Sequence, residues 1–350
     1  MNNPITKKKG FIAAAVASVL ALSFMTAVAP SATAAGEKIT KIGIAYDLGG
    51  RDIPGFNQLA YFGARDYVAK NKGVKIQELQ AALSDTDATR AERLRLLASA
   101  GANPIIAVGF TYASSVAIVG KEFPKVKFGV VDDSTVKLPN VLGITFAEHE
   151  GSYLVGAIAA MKSKSGKVGF IGGVQTPLIV KFNAGYAAGA KKINPKVKVQ
   201  SVYLSIFPDF SGFNDPAKGE ESAKGMFDNG VDVVFSAAGG SGAGAHKAAI
   251  AKTGVWSIGV DADEYYFPSN ASYNEIILTS MLKNVNVGVL DMINSMAKGT
   301  FKAGEKNFNL SNGGIGYSTA GGNIDAKTKA TVESLIKDIK AGKIKVPTKM

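Results

Sequence analysis

The sequence has no cysteine, one tryptophan and two histidines among its 350 residues. Without Cys there is no disulfide, no thiolate-metal site, no cysteine nucleophile and no thioester chemistry. His149 and His246 lie far apart in the chain and are too few for a histidine-based transition-metal cluster. No metal or cofactor is expected. Arginine is scarce too: Arg51, Arg65, Arg90, Arg93 and Arg95 are the only five among 40 basic residues. Arginine is the side chain that reads base edges and phosphates bidentately. The net charge of +12 therefore reads as a lysine-rich solvated surface, with no nucleic acid among the expected partners. Gly-x-x-x-x-Gly-Lys-Ser/Thr and Gly-x-Ser-x-Gly are missing, so phosphate-loop and hydrolase-elbow chemistry lack their motifs.

What the chain does have is apolar material: 46% hydrophobic residues against 19% charged, with 40 Gly and 12 Pro. That excludes a disordered or collagen-like polymer, and the length suffices for two domains of roughly 150 residues each. The N-terminus reads as a signal peptide over residues 1–34. Lys7, Lys8 and Lys9 precede an uncharged stretch over 10–36, Pro30 breaks the apolar run, and Ala32-Thr33-Ala34 offers a small-x-small cleavage site. The mature chain then carries 37 basic against 28 acidic residues, a net charge of +9. It is expected outside the cytoplasm, periplasmic or at the cell surface, with no cysteine after the apolar run to take a lipid anchor.

Beyond that segment, β-branched runs recur at 42–46, 105–108, 126–131, 168–171, 197–202, 231–235 and 256–260. Several are apolar almost throughout, as parallel strands buried on both faces are. Apolar stripes between them predict helices: Ala60, Ala64, Tyr67 and Val68; Leu154, Ala157, Ile158 and Met161. Val289, Met292, Ile293 and Met296 form another, and Val332, Leu335, Ile336 and Ile339 a fourth. Asp215-Pro216 reads as an N-cap with Pro at the first helical position, and Gly230 as the stop of that helix. Strand, helix, strand at this spacing means right-handed βαβ units. About ten strands are too many for one small sheet, so the fold class is α/β with two lobes.

In open α/β sheets, ligands bind beyond the carboxyl ends of the strands. Those positions hold acids and glycines: Asp47, Gly109, Asp132, Gly172, Gly240 and Asp261. Acids there accept hydrogen bonds from hydroxyl or ring N–H donors, and glycines admit a ligand close to the backbone. Asp47, Asp132 and Asp261 also suit a glycoside-cleaving enzyme, but no neighbouring His or metal set suggests activation. Gly240-Ser241-Gly242-Ala243-Gly244-Ala245 grazes the dinucleotide fingerprint; a closely packed strand-to-helix turn is the plainer reading. Phe56 with Asn57, and Phe182, stand at helix starts, where aromatics either fill a core or stack on a planar ring.

Gly55-Phe56-Asn57-Gln58, Leu138-Pro139-Asn140-Val141, Glu150-Gly151-Ser152-Tyr153 and Pro177-Leu178-Ile179 followed by Lys181-Phe182 carry a resemblance. With Phe213-Asn214-Asp215-Pro216, Gly259-Val260-Asp261 and Ser280-Met281-Leu282-Lys283, the chain resembles the basic membrane protein family of substrate-binding proteins. This is the purine nucleoside receptor-like group that serves ABC importers, and the matches run in order through nearly the whole mature chain. The resemblance implies the type I periplasmic binding protein fold: two Rossmann-like lobes with mostly parallel sheets, joined by a three-strand hinge that closes on ligand. It places lobe one at 38–145 with a return at 276–306, and lobe two at 146–275 with 307–350.

The same resemblance implies a purine nucleoside ligand and no catalytic activity. Phe56 would be the stacking aromatic, Asn57 its polar neighbour, Asp132 the first-lobe acid and Phe182 the second aromatic. Asp261 would hold ribose hydroxyls and Lys283 the base or ribose side, with Asp47 and Gly240 lining the same mouth. The partner would be an ABC permease in the membrane, and the protein a monomer. One departure stands out: Asp52-Ile53-Pro54-Gly55 replaces the family's frequent Gly-Asp-Lys-Ser. A receptor for a sugar or another small polar solute is the alternative within the class. An exported nucleoside-cleaving or dinucleotide-dependent enzyme is the alternative outside it.

Overall fold

The computed structural model describes residues 36–350 apart from 49, 53 and 83, and the signal peptide expected at 1–34 lies outside the described residues. Strands and helices alternate. The first half gives β1 (Lys41–Ala45), α1 (Phe56–Lys70), β2 (Lys75–Leu79), α2 (Asp87–Ser99), β3 (Ile105–Ala107), α3 (Ala113–Glu122), β4 (Phe128–Val131) and β5 (Val141–Phe146). The second gives α4 (Glu148–Lys162), β6 (Lys167–Gln175), α5 (Pro177–Ile193), β7 (Lys198–Ile206), α6 (Pro216–Asp228), β8 (Val233–Ala237), α7 (Gly242–Ile250), β9 (Trp256–Asp261) and β10 (Ile277–Lys283). The chain then runs through α8 (Val285–Ala297), β11 (Gly304–Phe308), β12 (Ile315–Tyr317) and α9 (Ala326–Lys340).

Two six-stranded sheets result. The first, ordered β11-β5-β4-β3-β1-β2, is parallel throughout. The second, ordered β12-β10-β9-β8-β6-β7, is parallel except for β12 against β10. β3, β4 and β8 are buried at every residue, which is why their sequences are apolar without alternation. On one side of the first sheet α2 and α3 bury Leu94, Leu97, Val116 and Val119; on one side of the second α6 and α7 bury Met226, Phe227 and Ala245. Strand order reverses between β1 and β3 and again between β6 and β8, the switch points where such sheets open a crevice.

The local signals for helix α6 behave as expected. Its Asp215 cap accepts the Lys218 N–H at 2.9 Å, with Pro216 in the first turn and Gly230 leaving the helix at φ +83°. Helix α4 buries more than the stripe of Leu154, Ala157 and Ile158. Every residue over 151–159 is buried, because α4 is wedged among β10, α5 and α9. Gly189 lets the α4 and α5 backbones touch; a Cβ there would run into the Tyr153 carbonyl.

The chain crosses between the sheets three times, after Phe146, after Lys283 and after Phe308. This corrects the return to lobe one expected at 276. Residues 277–283 are β10, which pairs with β9 and β12 in the second sheet, and the crossing follows Lys283. A buried strand reading Ile-Leu-Thr-Ser-Met-Leu-Lys suits either sheet by composition; its hydrogen bonds to β9 decide the matter.

Candidate functional site

The carboxyl ends of both sheets face one cavity of about 230 Å³. All eight residues expected to touch the ligand line it: Asp47, Phe56, Asn57 and Asp132 from lobe one, and Phe182, Gly240, Asp261 and Lys283 from lobe two. Gly109 lines it as well, whereas Gly172, expected just past a strand, lies inside β6 and away from the cavity.

Asp47 follows β1 at the first switch point. Its Oδ1 accepts the Leu48 N–H at 2.9 Å and the Thr111 hydroxyl at 3.3 Å. Gly109, at φ +100°, has no room for a Cβ beside the Asp47 carboxylate. Asn57 is buried, and its amide is spent on the loop that carries Asp47. It accepts the Asp47 N–H at 3.3 Å and donates to the carbonyls of Asp47 and Leu48 at 3.3 and 3.0 Å. The polar contact expected of Asn57 is thus first a brace for its neighbour.

Asp132 directly follows β4 and Asp261 ends β9, and each lobe uses the same device there. Both backbones are left-handed, with φ 69° and 65°, a region that costs a side-chain-bearing residue about 1 kcal/mol or more. Lys283, at the end of β10, reaches across to Asp132 Oδ2 at 2.5 Å and lies 3.8 Å from Glu148 Oε1. Its ammonium stands over the rings of Phe56, Phe146 and Phe182 at 4.8, 5.4 and 5.7 Å, where each ring face attracts a cation. Glu148, the first residue of α4, also takes a 2.8 Å hydrogen bond from Lys181.

The electrostatics follow from burial. Burial lifts the Asp47 and Asp132 carboxyls above their ordinary values, with Lys283 pulling Asp132 back. Burial pushes Asp261 up to about 7; Lys283 opposes it, while Asp132 and Glu264 add to it. Burial works against the Lys283 charge, but Asp132, Asp261 and Glu148 outweigh it and hold the ammonium above its usual value. Asp132 Oδ1 is buried without a hydrogen-bond partner. An unmet acceptor of this kind costs about 1–3 kcal/mol, and a ligand hydroxyl or N–H removes that cost.

Several wall residues were given no ligand role from the sequence. Arg90 on α2 gives one guanidinium nitrogen to Asp87 at 3.1 Å, leaves Nε buried and unpartnered, and steadies the Asp47 charge. Phe110 from lobe one meets Phe210 from lobe two edge to face, with centroids 5.9 Å apart. Phe213 and Glu264 also reach the cavity. Phe110 had a signal, since it follows a glycine just past a strand; Phe210 had none.

The glycine-rich stretch at 240–245 is used for packing. The Ser241 hydroxyl accepts the Asp215 N–H and donates to the Gly212 carbonyl, both at 2.8 Å. Gly244 sits where a Cβ would strike the Pro216 carbonyl, so α7 lies directly on α6. Of this stretch only Gly240 and Ala243 line the cavity. Among the described residues no group of three His, Asp or Glu is placed to hold a metal ion.

The family described as ABC transporter substrate-binding protein PnrA-like matches residues 39–349. The CD4+ T-cell-stimulating antigen of Listeria monocytogenes serovar 1/2a is 33% identical over 318 residues, 87% of either chain. The ABC transporter nucleoside-binding protein BmpA of Lactococcus lactis subsp. cremoris is 32% identical over 321 residues, 88% of this chain and 89% of its own. An ABC transporter solute-binding protein from Aeropyrum pernix K1 superimposes with a TM-score of 0.75 at 26% identity, covering 89% of this chain and 94% of its own. One from Conexibacter woesei gives 0.72 at 25% identity, covering 88% and 99%. The two lobes are those of the type I periplasmic-binding-protein-like fold. The chain belongs to the PnrA-like ABC transporter substrate-binding proteins, exported and non-catalytic receptors that hand a small polar solute to a membrane permease.

Proposed function

We propose that the solute is a purine nucleoside. The observation that carries this reading is the meeting of Phe56 from one lobe and Phe182 from the other on a cavity that also holds the buried acids Asp132 and Asp261. A planar base between such rings gains its area burial and about 0.5–1.5 kcal/mol per aromatic pair. Ribose hydroxyls would meet Asp261, and a base or sugar donor the unpartnered Asp132 Oδ1. Hydrogen bonds to charged acceptors contribute roughly 1.5–3 kcal/mol each, so ligands without those donors are rejected. The Lactococcus relative, named a nucleoside-binding protein, points the same way.

On this reading the cavity of about 230 Å³ holds one small molecule. Hinge closure over the nucleoside is the signal that a permease reads as loaded. Mass spectrometry of the ligand released from protein purified under mild conditions, paired with thermal shift, tests the proposal. Inosine, guanosine or adenosine at a hundredfold excess over Kd should stabilise the fold by about 2.7 kcal/mol. A pentose or hexose released or stabilising instead overturns it. The lone tryptophan is a poor reporter here: Trp256 opens β9 five residues before Asp261, about 16 Å from the cleft at strand rise.

A further inference from the structure

His246, on α7, is fully buried and takes no part in the cavity wall. Its Nδ1 lies 2.7 Å from the Ser257 hydroxyl on β9, and its Nε2 lies 2.7 Å from Glu264 Oε2. The other oxygen of Glu264 accepts the Val260 N–H at 2.7 Å, and the Glu264 N–H donates to Ser280 Oγ on β10 at 3.1 Å. Pairing of β9 with β8 ends at Ile258, so the Glu264 carboxylate supplies the acceptor that the sheet no longer offers to Val260. The next residue is Asp261, held in its left-handed turn. Ser, His and Glu together have the composition of a nucleophile set, but Ser257 is fully buried and closed to any substrate.

We propose that His246 is a positioning residue for the ligand: by fixing Glu264 on the Val260 N–H it sets the strand-end turn that presents Asp261. The proposal rests on the reading that Asp261 contacts the ligand. Its geometry is a continuous line of hydrogen bonds, α7 to Glu264 to the residue before Asp261, crossing two elements that share no backbone ladder. A carboxylate that loses its imidazole partner turns to other donors and releases Val260.

A double-mutant cycle with inosine as the probe separates this from a merely structural role. His246→Leu should weaken binding about tenfold, the worth of one hydrogen bond to a charged group. The double variant with Asp261→Asn should bind no more weakly than Asp261→Asn alone. His246→Gln, whose amide can still donate to Glu264, should stay within about threefold of the parent protein. Full affinity in His246→Leu, or losses that add in the double variant, overturn the relay alone. No loss in Asp261→Asn overturns the site reading and the relay with it. Should His246→Leu fail to fold, Ser257→Ala removes only the outer bond and runs the same cycle, with a loss of about threefold expected and additivity again the contrary result.

Discussion

Lys283 at the end of β10 and Asp132, the residue just past β4, meet at 2.5 Å, each side chain almost wholly buried and each at the end of a strand of a different sheet. Glu148 lies 3.8 Å from the same ammonium and opens the first crossing, while Lys283 closes the strand before the second. Two of the three hinge passages therefore converge on one charge. A buried pair adds little over an apolar replacement, but breaking it leaves an uncompensated ion and costs about 3–5 kcal/mol.

Lys283→Ala should accordingly lower the free energy of unfolding in urea by about 3–5 kcal/mol and weaken nucleoside binding more than tenfold. Asp132→Leu with Lys283→Met should recover most of the stability and none of the affinity. Equal stability in the single variant and the parent protein contradicts the pairing.

The raised pKa of Asp261 sets a pH dependence. With the group near 7 in the folded protein and about 4 in the unfolded chain, the fold holds a proton between those values that the unfolded chain has released. This carboxyl therefore makes stability fall as pH rises from about 4 to 7, and Asp47 and Asp132 are shifted in the same direction. Ligand hydroxyls favour the ionised carboxylate, so affinity rises as pH passes upward through 7, about tenfold between pH 6 and 8. Calorimetry in buffers of different ionisation heat should count a proton released on binding, and Asp261→Asn should flatten the profile. A parent profile already flat over that range contradicts the assignment.

The edge-to-face pair of Phe110 and Phe210 joins the lobes at the cavity wall. Phe110→Ala removes about 0.5–1.5 kcal/mol of ring pairing together with its apolar burial. Stopped-flow measurement should show ligand leaving about tenfold faster, with an association rate changed by less than about threefold. A slower association with unchanged dissociation would assign the pair to capture rather than retention.

Asn57→Ala strips three hydrogen bonds from the Asp47 loop, and a buried loop backbone left unmet costs about 1–3 kcal/mol. Its loss of affinity should not exceed that of Asp47→Ala, since it acts through that loop. A larger loss would mean direct contact with the ligand.

Much of this site is legible in the chain because buried parallel strands are written as unbroken apolar runs, and the residue just past such a run lies at the cleft. Asp47, Asp132 and Asp261 stand out for that reason. β2, reading Lys-Ile-Gln-Glu-Leu, and β11, reading Gly-Glu-Lys-Asn-Phe, are edge strands whose polar residues hide them. Arg90 stands on a helix that reads as a polar face, and only the fold buries it. Phe210 comes from a loop with no periodic signal, and the Glu264 to His246 contact joins residues 18 apart through the turn after β9. The lobe to which β10 belongs depends on strand partners, which composition does not record.

The nucleoside reading meets its sharpest test in calorimetric titration with inosine, guanosine and adenosine, set beside hypoxanthine and ribose. At least one nucleoside should bind at least a hundredfold more tightly than its separate base or sugar, a gap of about 2.7 kcal/mol. Ribose or another sugar binding as tightly as every nucleoside would contradict it.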